Sequence, residues 1–259
     1  MKTRKKHFRH FITVSVLLLA LTALLWLRAE RIGGSYAGSD PRILAFAKEH
    51  SLKPSDWPSE LVKLLEKNPE TEEYVLNYPL LKDRQQDIDL SELTGTGSVP
   101  LLLQWDTRWG YQKYGSGMIG QTGCGPVCLS MVCLFLLEDP SLDPAALARF
   151  STRNGYCVPG SGTSWTLISE GGKKLGLEVE EIPLVKGIIF DHLEAGDPII
   201  CVMGPGDFTD EGHYIVLTGC EDGLLRVNDP NSPLRSQTLW DYDAIESQFR
   251  NLWVCKVPK

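Results

Sequence analysis

One cysteine in this sequence has the surroundings that turn a thiol into a nucleophile. Cys124 lies in Gly123-Cys124-Gly125-Pro126, directly before an apolar run that predicts a buried helix as far as Leu137. A thiol at a helix N-terminus faces the positive end of the helix dipole, which lowers its pKa from about 8.5 to neutrality or below. Pro126 suits a first helical turn, where its missing N–H would have had no acceptor. Cys124 is therefore a candidate nucleophile, with a structural cysteine as the alternative.

A histidine and an aspartate follow in the order that thiol chemistry needs. His213 begins an apolar run, residues 213–218, and a turn leads to a second run that ends at Asp229; together they predict a β-hairpin. Because side chains two positions apart share a face of a strand, a three-residue loop at 220–222 would place His213 directly opposite Asp229. A loop of two or four residues would shift that register. We expect the shared face to pack on the Cys124 helix.

These two residue types would complete an acyl-transfer site. A histidine takes the proton of the thiol and later gives it to the leaving group, while a carboxylate fixes the tautomer and orientation of the imidazole. Each residue also has a structural interpretation, since a histidine that enters a strand is commonly a core or surface residue and Asp229-Pro230 is ordinary turn chemistry. The order of the three motifs along the chain favours catalysis.

Four motifs together resemble a known family. They are Gln104-Trp105-Asp106-Thr107-Arg108-Trp109-Gly110, Gly123-Cys124-Gly125-Pro126, Gly212-His213-Tyr214-Ile215-Val216-Leu217-Thr218-Gly219 and Val227-Asn228-Asp229-Pro230. As a set, over about residues 101–253, they resemble the papain-like cysteine peptidases related to bacteriocin-processing (double-glycine leader) peptidases, in a free-standing, membrane-anchored form. The resemblance implies an α+β papain-like fold. In that fold the helix that bears the nucleophile packs on a mainly antiparallel sheet, which would include residues 199–203, 213–218 and 224–228.

The resemblance also implies a role for each polar residue of the site. Cys124 is the nucleophile, His213 the base and Asp229 the orienting acid. A glutamine upstream of the cysteine helps to bind the oxyanion, together with the backbone N–H of the cysteine. Gln104 matches that glutamine, although it lies 20 residues before Cys124, farther than in the leader peptidases. Gln121, three residues before Cys124, is the second candidate.

Glycine-rich segments predict the walls of a substrate groove, since glycine lets a substrate backbone approach closely. Residues 160–165 and residues 203–210 are the candidate walls, with simple turns as the alternative. The candidate substrate-binding residues are Gly123, Gly125, Gly212 and Trp165. For Trp165, as for Trp240 and Trp253, a core position is nevertheless favoured over a binding role.

The first 32 residues predict a membrane anchor. They carry seven basic residues and one acidic residue, a net charge of +6, which leaves −13 for the rest of the chain. Residues 11–27 contain no charged side chain, which indicates a short spanning helix or a signal peptide. No small-x-small cleavage motif follows directly, and this favours an uncleaved anchor. The positive-inside rule places residues 1–10 in the cytoplasm, so we expect a single-pass protein of the cell membrane with an extracellular catalytic domain.

The sequence divides into four predicted segments. They are a cytoplasmic basic tail at 1–10, a transmembrane signal anchor at 11–27, a linker and helical stalk at 28–95, and a papain-like peptidase domain at 96–259. Within the stalk, residues 41–77 predict two or three short amphipathic helices separated by prolines. Residues 99–103 predict a strand at the start of the peptidase domain.

Charge and cysteine usage exclude several classes of function. The acidic body lacks the clustered Lys and Arg that phosphate contacts need, so we expect no nucleic acid as a partner. Seven cysteines are present without a CxxC knuckle or a close His pair, so we expect no metal site, and the proposed chemistry needs no cofactor. The i,i+4 spacing of Cys124 and Cys128 is too wide for a disulfide in a helix. Most of the cysteines are expected to be buried small hydrophobes.

The sequence therefore predicts a cell-surface cysteine peptidase that hydrolyses a peptide or isopeptide bond through a Cys124 thioester. Its partners would be a peptide or protein substrate, with cell-wall peptide as one candidate, and the membrane. The leader peptidases are fused to a transporter and this sequence shows none, so cleavage after a double glycine is not expected to carry over. The alternatives are a non-catalytic surface module that binds peptide or cell-wall material in the same groove, and a peptidoglycan amidase.

Overall fold

The computed structural model describes Gly38 and residues 40–84, 86–158, 160 and 162–258. The chain separates into two compact units that divide between Pro79 and Leu80. The predicted cytoplasmic tail and signal anchor lie outside the described residues. Within the described ranges, no helix has both the length and the apolar character that crossing a membrane requires.

The first unit is built from short helices, as the proline pattern of residues 41–77 predicts. They are α1 (Pro41–Glu49), a 3₁₀ turn (Pro54–Asp56), α2 (Ser59–Lys67), a second 3₁₀ turn (Pro69–Thr71) and α3 (Glu72–Leu81). Pro41 stands in the first turn of α1, where a proline costs no hydrogen bond. Trp57 is buried and donates its Nε1–H to the carbonyl oxygen of Val75 at 2.8 Å, which satisfies the indole inside the unit.

The described part of the second unit contains the helix that begins at the predicted nucleophile. Its helices are α4 (Ile119–Thr122), α5 (Cys124–Leu137), α6 (Pro144–Arg153), α7 (Gly172–Lys174), α8 (Lys186–Glu194), α9 (Pro233–Gln237) and α10 (Tyr242–Ile245). Single turns of other helix types occur at Ser91–Leu93, Leu167–Gly171 and Glu246–Gln248. Helix α5 is buried on every side from Gly125 to Leu134, because its sequence has no polar face.

The described residues form ten strands. They are β1 (Lys113–Tyr114), β2 (Gly117–Met118), β3 (Cys157–Val158), β4 (Gly162–Thr163), β5 (Glu178–Glu181), β6 (Ile199–Met203), β7 (His213–Glu221), β8 (Leu224–Asn228), β9 (Leu239–Asp241) and β10 (Phe249–Lys256). Six of them form one antiparallel sheet in the order β5-β10-β6-β7-β8-β9, and β1-β2 and β3-β4 are separate hairpins. The predicted α+β papain-like fold, with the cysteine helix packed on a mainly antiparallel sheet, is confirmed.

The two faces of the six-stranded sheet pack on different hydrophobic cores. On one face, Val202, Tyr214 and Val216 are buried in a core that they share with α5 and α6. On the other face, Ile215 and Leu217 are buried in a second core with α8 and α10. The sheet is therefore the middle layer of this unit, with helices on both sides.

The turn of the β7–β8 hairpin has two residues, so of the loop lengths left open the two-residue one occurs, and His213 does not pair directly with Asp229. Glu221 pairs with Leu224 across the turn. The turn residues, Asp222 and Gly223, both have positive φ, at 50° and 79°. This is the geometry of a tight hairpin turn whose twist matches that of the strands, and it favours Asp-Gly.

A β-bulge restores the parity that the shorter turn would have changed. With a two-residue turn alone, Asp229 would lie on the opposite face from His213. The register shifts by one residue at Thr218, so the two side chains return to the same face. Continued by one residue, this register sets Asp229 opposite Ile215. His213 and Asp229 are therefore diagonal neighbours instead of direct partners.

Residues 99–103 form no strand, contrary to the prediction. The side-chain amide of Asn228 donates to the carbonyl oxygen of Val99 at 3.0 Å, and the N–H of Gln104 donates to the carbonyl oxygen of Pro230 at 2.7 Å. Pro100 removes a donor that a strand ladder would use. The segment runs beside the end of β8, and these bonds place Gln104 next to the loop that follows Asp229.

Candidate active site

Cys124 is the first residue of α5, as predicted, and Gly123 is its N-cap. The thiol is half-buried. A Cβ on Gly123 would lie 2.6 Å from the carbonyl oxygen of Ile119, and one on Gly125 would lie 2.7 Å from the side chain of Thr163. Both glycines are therefore needed because neighbouring protein atoms occupy the space of a side chain. This close packing fixes the start of the helix.

His213 and Asp229 form a buried pair at the end of the hairpin. His213 is 7% exposed and Asp229 is 0% exposed. Nε2 of His213 lies 2.7 Å from Oδ1 of Asp229. Because the carboxylate engages Nε2, a neutral ring carries its proton there and leaves Nδ1 to accept the proton of a thiol. That tautomer is the one a general base needs.

The predicted contact between this face of the hairpin and the cysteine helix is wrong. Ile215, which shares the strand face of His213, lies in the core with α8, on the side away from α5. His213 is nevertheless a neighbour of the Cys124 thiol, because the two residues line the same cavity and each shifts the pKa of the other. It is the first residue of β7, and at the end of a sheet a side chain is not confined to either face. The backbone N–H of Tyr214 also helps to lower the pKa of the thiol.

Opposing effects set the pKa values of Cys124 and His213. Burial raises the pKa of the Cys124 thiol, but the hydrogen bond and the charge of His213 outweigh it, so the pKa lies below its ordinary value. Burial lowers the pKa of His213, whereas Asp229 and Cys124 raise it, and the result is a pKa of about 10. Both shifts favour a thiolate and an imidazolium over the neutral pair.

Asp229 has a second charged partner, Arg235, which the sequence analysis does not include. Nε of Arg235 lies 2.5 Å from Oδ2 of Asp229. Burial raises the pKa of Asp229, but the nearby charges of His213 and Arg235 outweigh it and the pKa is lowered. The signal in the sequence is Ser232-Pro233, a typical helix start, which brings Arg235 back towards Asp229 within one turn.

A cavity of about 570 Å³ opens at Cys124 and His213. Both predicted groove segments contribute to its walls. Gly160, Gly162, Thr163 and Trp165 come from the first segment, and Thr209 comes from the second. Among the described residues that line the cavity, Glu211 is the only carboxylate, and lysine and arginine do not occur. The cavity is therefore uncharged or negative beside the thiol.

Gln104 and Gln121 both line this cavity. Gln104 is 4% exposed, and its Nε2 donates to the carbonyl oxygen of Gly120 at 3.1 Å, which leaves a second amide hydrogen. Gln121 lies in α4, half-buried, and its Oε1 accepts the N–H of Met118 at 3.2 Å. Its position three residues before the thiol does not keep it from the cavity.

The predicted substrate-binding residues fall into two groups. Gly212 and Trp165 line the cavity, and Trp165 is 47% exposed, so it is not a core residue. Gly123 and Gly125 do not line it, because their missing side chains make room for protein atoms. Trp253 is buried, as the core interpretation predicts, and its ring packs edge-on against Trp165 with centroids 5.9 Å apart.

Four of the other six cysteines are buried. All seven are free thiols, and the buried ones are Cys128, Cys133, Cys201 and Cys255. Burial raises the pKa of Cys128 well above its ordinary value, although it lies one helical turn from Cys124. Within the described ranges, no group of three His, Cys, Asp or Glu side chains could hold a metal ion.

Comparison with known proteins adds the family to this geometry. The profile of the Peptidase_C39-like family matches residues 96–255, more than half of the chain. The chain belongs to the Peptidase_C39-like family. Membership of the Peptidase_C39-like family supports a cysteine-peptidase type of function in general. None of the curated proteins matches the chain.

Solved structures similar to this member of the Peptidase_C39-like family include three peptidase domains. The peptidase domain of Streptococcus ComA, a bi-functional ABC transporter involved in a quorum-sensing pathway, is 22% identical with a TM-score of 0.44, over 62% of this chain and 99% of that chain. The same domain of Streptococcus mutans ComA, bound to a small-molecule inhibitor, is 26% identical with a TM-score of 0.31, over 38% and 76%. A double glycine motif protease from an AMS/PCAT transporter, in complex with the leader peptide, is 15% identical with a TM-score of 0.37, over 64% and 97%.

Proposed function

We propose that this chain is a membrane-anchored cysteine peptidase whose catalytic domain lies outside the cell and hydrolyses peptide or isopeptide bonds. The observation that carries the proposal is that Cys124, His213 and Asp229 lie together at one cavity. The imidazole lines that cavity with the thiol and lies 2.7 Å from the carboxylate. The basic tail and the apolar residues 11–27 support the anchor.

In the acylation step, the Cys124 thiolate attacks the carbonyl carbon of the scissile bond. The imidazolium of His213 gives its proton to the leaving nitrogen as the C–N bond breaks, so a thioester forms and an amine leaves. Asp229 holds the Nε2–H of the ring, which keeps Nδ1 towards the reacting atoms. The lowered pKa of Cys124 supplies the thiolate, and the raised pKa of His213 supplies the proton.

In the deacylation step, His213 takes a proton from a water molecule that attacks the thioester carbonyl. The C–S bond breaks, a carboxylic acid leaves, and the Cys124 thiolate returns. In both steps, negative charge collects on the carbonyl oxygen. The N–H of Cys124 has no acceptor within α5, and Gln104 offers its second amide hydrogen, so these two donors form the oxyanion site. Gln104 is preferred to Gln121 because it is buried and its amide is fixed.

The lining of the cavity favours a neutral or cationic peptide segment as the substrate. Glu211 is the only carboxylate among the described lining residues, and no lysine or arginine occurs there. The imidazolium of His213 is offset by the Cys124 thiolate, so the lining disfavours an acidic substrate. The exposed ring of Trp165 adds an aromatic face to the same cavity, a surface that attracts cations. A peptide with a basic side chain near the scissile bond fits both features.

Thiol labelling tests the premise of this proposal. The full chain and its His213→Ala variant are treated with iodoacetamide at pH 7, and the modified cysteine is located by mass spectrometry. Labelling is expected to be fast at Cys124 and at least about tenfold slower in the variant, since one unit of pKa changes the thiolate fraction tenfold. Equal, slow labelling in both proteins would contradict the proposal that Cys124 is an activated nucleophile. A membrane-impermeant thiol reagent applied to whole cells tests the extracellular location.

Product analysis then identifies the bond that is cleaved. The protein is incubated with peptides and with cell-wall fragments, and the products are identified by mass spectrometry. Shortened peptides that disappear with Cys124→Ala would support the peptidase. Released muropeptides would overturn the peptidase and favour a peptidoglycan amidase. Binding without any product would favour the non-catalytic binding module.

A further inference from the structure

Asp229 stands between two cationic side chains that approach different oxygens of its carboxylate. Nε2 of His213 lies 2.7 Å from Oδ1, which also accepts the N–H of Asn231 at 2.7 Å. Nε of Arg235 lies 2.5 Å from Oδ2. Because Asp229 is fully buried, these groups take the place of water as its partners. The carboxylate therefore has little freedom to rotate.

Hydrogen bonds hold both the backbone N–H and the backbone carbonyl of Arg235. The hydroxyl of Ser232 caps α9 and accepts the N–H of Arg235 at 3.0 Å. Nε1–H of Trp240 donates to the carbonyl oxygen of Arg235 at 3.0 Å. The hydroxyl of Ser236 accepts the N–H of Asp229 at 2.9 Å, which ties α9 to the acid itself. Arg235, six residues after Asp229, thus closes a loop of the chain around the carboxylate.

We propose that Arg235 is a positioning residue for the cysteine-peptidase reaction: it shares the charge of Asp229 and holds the carboxylate so that Oδ1 faces His213. The inference rests on the proposed function, in which His213 must both accept and release a proton. A buried carboxylate with the imidazolium as its sole cationic partner would hold that proton too tightly for delivery to the leaving nitrogen. A carboxylate free to rotate would lose the contact that orients the ring.

The groups that face this pair come from α5, from α9 and from the loop before β7. They are Cys124 and Cys128 on α5, Arg235 on α9, and Glu211, which lines the same cavity as His213. Among these described neighbours, Arg235 is the one permanent cation. Its removal should therefore raise the pKa of His213, because Asp229 would then interact with the imidazolium alone.

Arg235→Gln and Arg235→Lys are compared with the wild-type full chain. Peptide hydrolysis gives kcat and KM across the pH range, and NMR follows the titration of the His213 ring without any substrate. Arg226→Gln is the matched control, because Arg226 makes an ion pair with Glu221 on the exposed part of the same hairpin.

Arg235→Gln is expected to lower kcat by about tenfold or more with little change in KM, as removal of an orienting partner does. It should also move the alkaline limb of the rate profile and the His213 titration to higher pH. Arg235→Lys keeps the charge without the planar fork, so it should restore the titration and recover part of kcat. Arg226→Gln should match the wild type. A folded Arg235→Gln with wild-type kcat or a wild-type His213 titration overturns the proposal, whatever its thermal stability.

The two proposals fail in different ways. A wild type that cleaves no peptide contradicts the proposed function, while the NMR titration still decides whether Arg235 acts on His213. If Arg235→Gln does not fold, Arg235→Lys decides. A wild-type kcat in that variant overturns the positioning role, and a reduced kcat with a wild-type titration supports it.

Discussion

Two cysteines lie one turn apart on α5, and their thiols differ in opposite directions from an ordinary thiol. The pKa of Cys124 is lowered, because the hydrogen bond and charge of His213 outweigh the effect of burial. The pKa of Cys128 is raised well above its usual range, because burial acts there without a hydrogen-bond partner and the negative charges of Cys124 and Asp229 add to it. Because the two thiols share one helix, the difference between their pKa values follows chiefly from His213, at the start of the β7–β8 hairpin.

The largest expected effect comes from removing each cysteine in turn. Cys124→Ala should lower kcat by about 10⁴-fold or more, since the nucleophile carries most of the chemical acceleration. Cys128→Ala should leave kcat near the wild-type value and lower the free energy of unfolding by about 1 kcal/mol, through the small cavity it creates. Peptide hydrolysis and urea unfolding measure the two quantities. A Cys128→Ala protein that folds normally but has lost its activity would break the comparison.

The pH dependence is expected to show which groups separate the two thiols. Because the pKa of Cys124 is lowered, kcat/KM should rise with pH along a limb below the ordinary thiol range of about 8.5. It should fall again near pH 10, where His213 loses the proton that the leaving nitrogen needs. Labelling by iodoacetamide should follow the acid limb and then stay level, because alkylation needs a thiolate and no proton donor.

His213→Ala serves as the control for this profile. Without the imidazolium, only backbone N–H groups oppose the effect of burial at Cys124, so its labelling should rise at a higher pH than in the wild type. If the wild type and His213→Ala label with the same pH dependence, the hairpin does not set the reactivity of the thiol.

The smallest expected effect concerns the cavity that only the first thiol faces. Cys124 opens on a cavity whose described lining has Glu211 as its one carboxylate, and Cys128 lines no part of it. A cationic methanethiosulfonate reagent should therefore modify Cys124 faster than an anionic one. Glu211→Gln should reduce that preference by about two- to fivefold, since an exposed charge contributes about 0.2–1 kcal/mol. Glu180→Gln, the same change at an exposed position on β5, is the control and should not alter the preference.

Local pattern was enough to predict the elements that carry the site. Cys124 begins a helix because glycine and proline precede an unbroken apolar run. The strands that begin at residues 199, 213 and 224 were predictable from their alternation and apolar character. The Asp222-Gly223 dipeptide is itself a strong signal for a two-residue turn, and it could have decided between the loop lengths that the parity argument left open. The shared face of His213 and Asp229 was predicted through parity, with a register that differs in detail.

Long-range packing decided what the sequence could not predict. Whether the face of Ile215 packs on α5 or on α8 depends on how segments far apart in the chain cover the sheet, and no residue type records that choice. The bulge at Thr218 has no residue signature, since a threonine is ordinary in either strand geometry. Arg235 was missed because its partner is defined by a buried carboxylate, and burial is a property of the whole fold.

Because of the bulge at Thr218, the number of residues in each strand of the hairpin decides on which face of the sheet Asp229 lies. One residue added inside either strand, or loss of the bulge alone, would move Asp229 to the opposite side of the sheet from His213. An added strand residue together with loss of the bulge would keep Asp229 on the face of His213. A residue added within the turn would lengthen the turn and leave the register of the strands unchanged. Among relatives, insertions between the histidine and the aspartate should therefore be confined to the turn or occur in compensating pairs. In this hairpin, a change in chain length is therefore tolerated at the turn and not within a single strand.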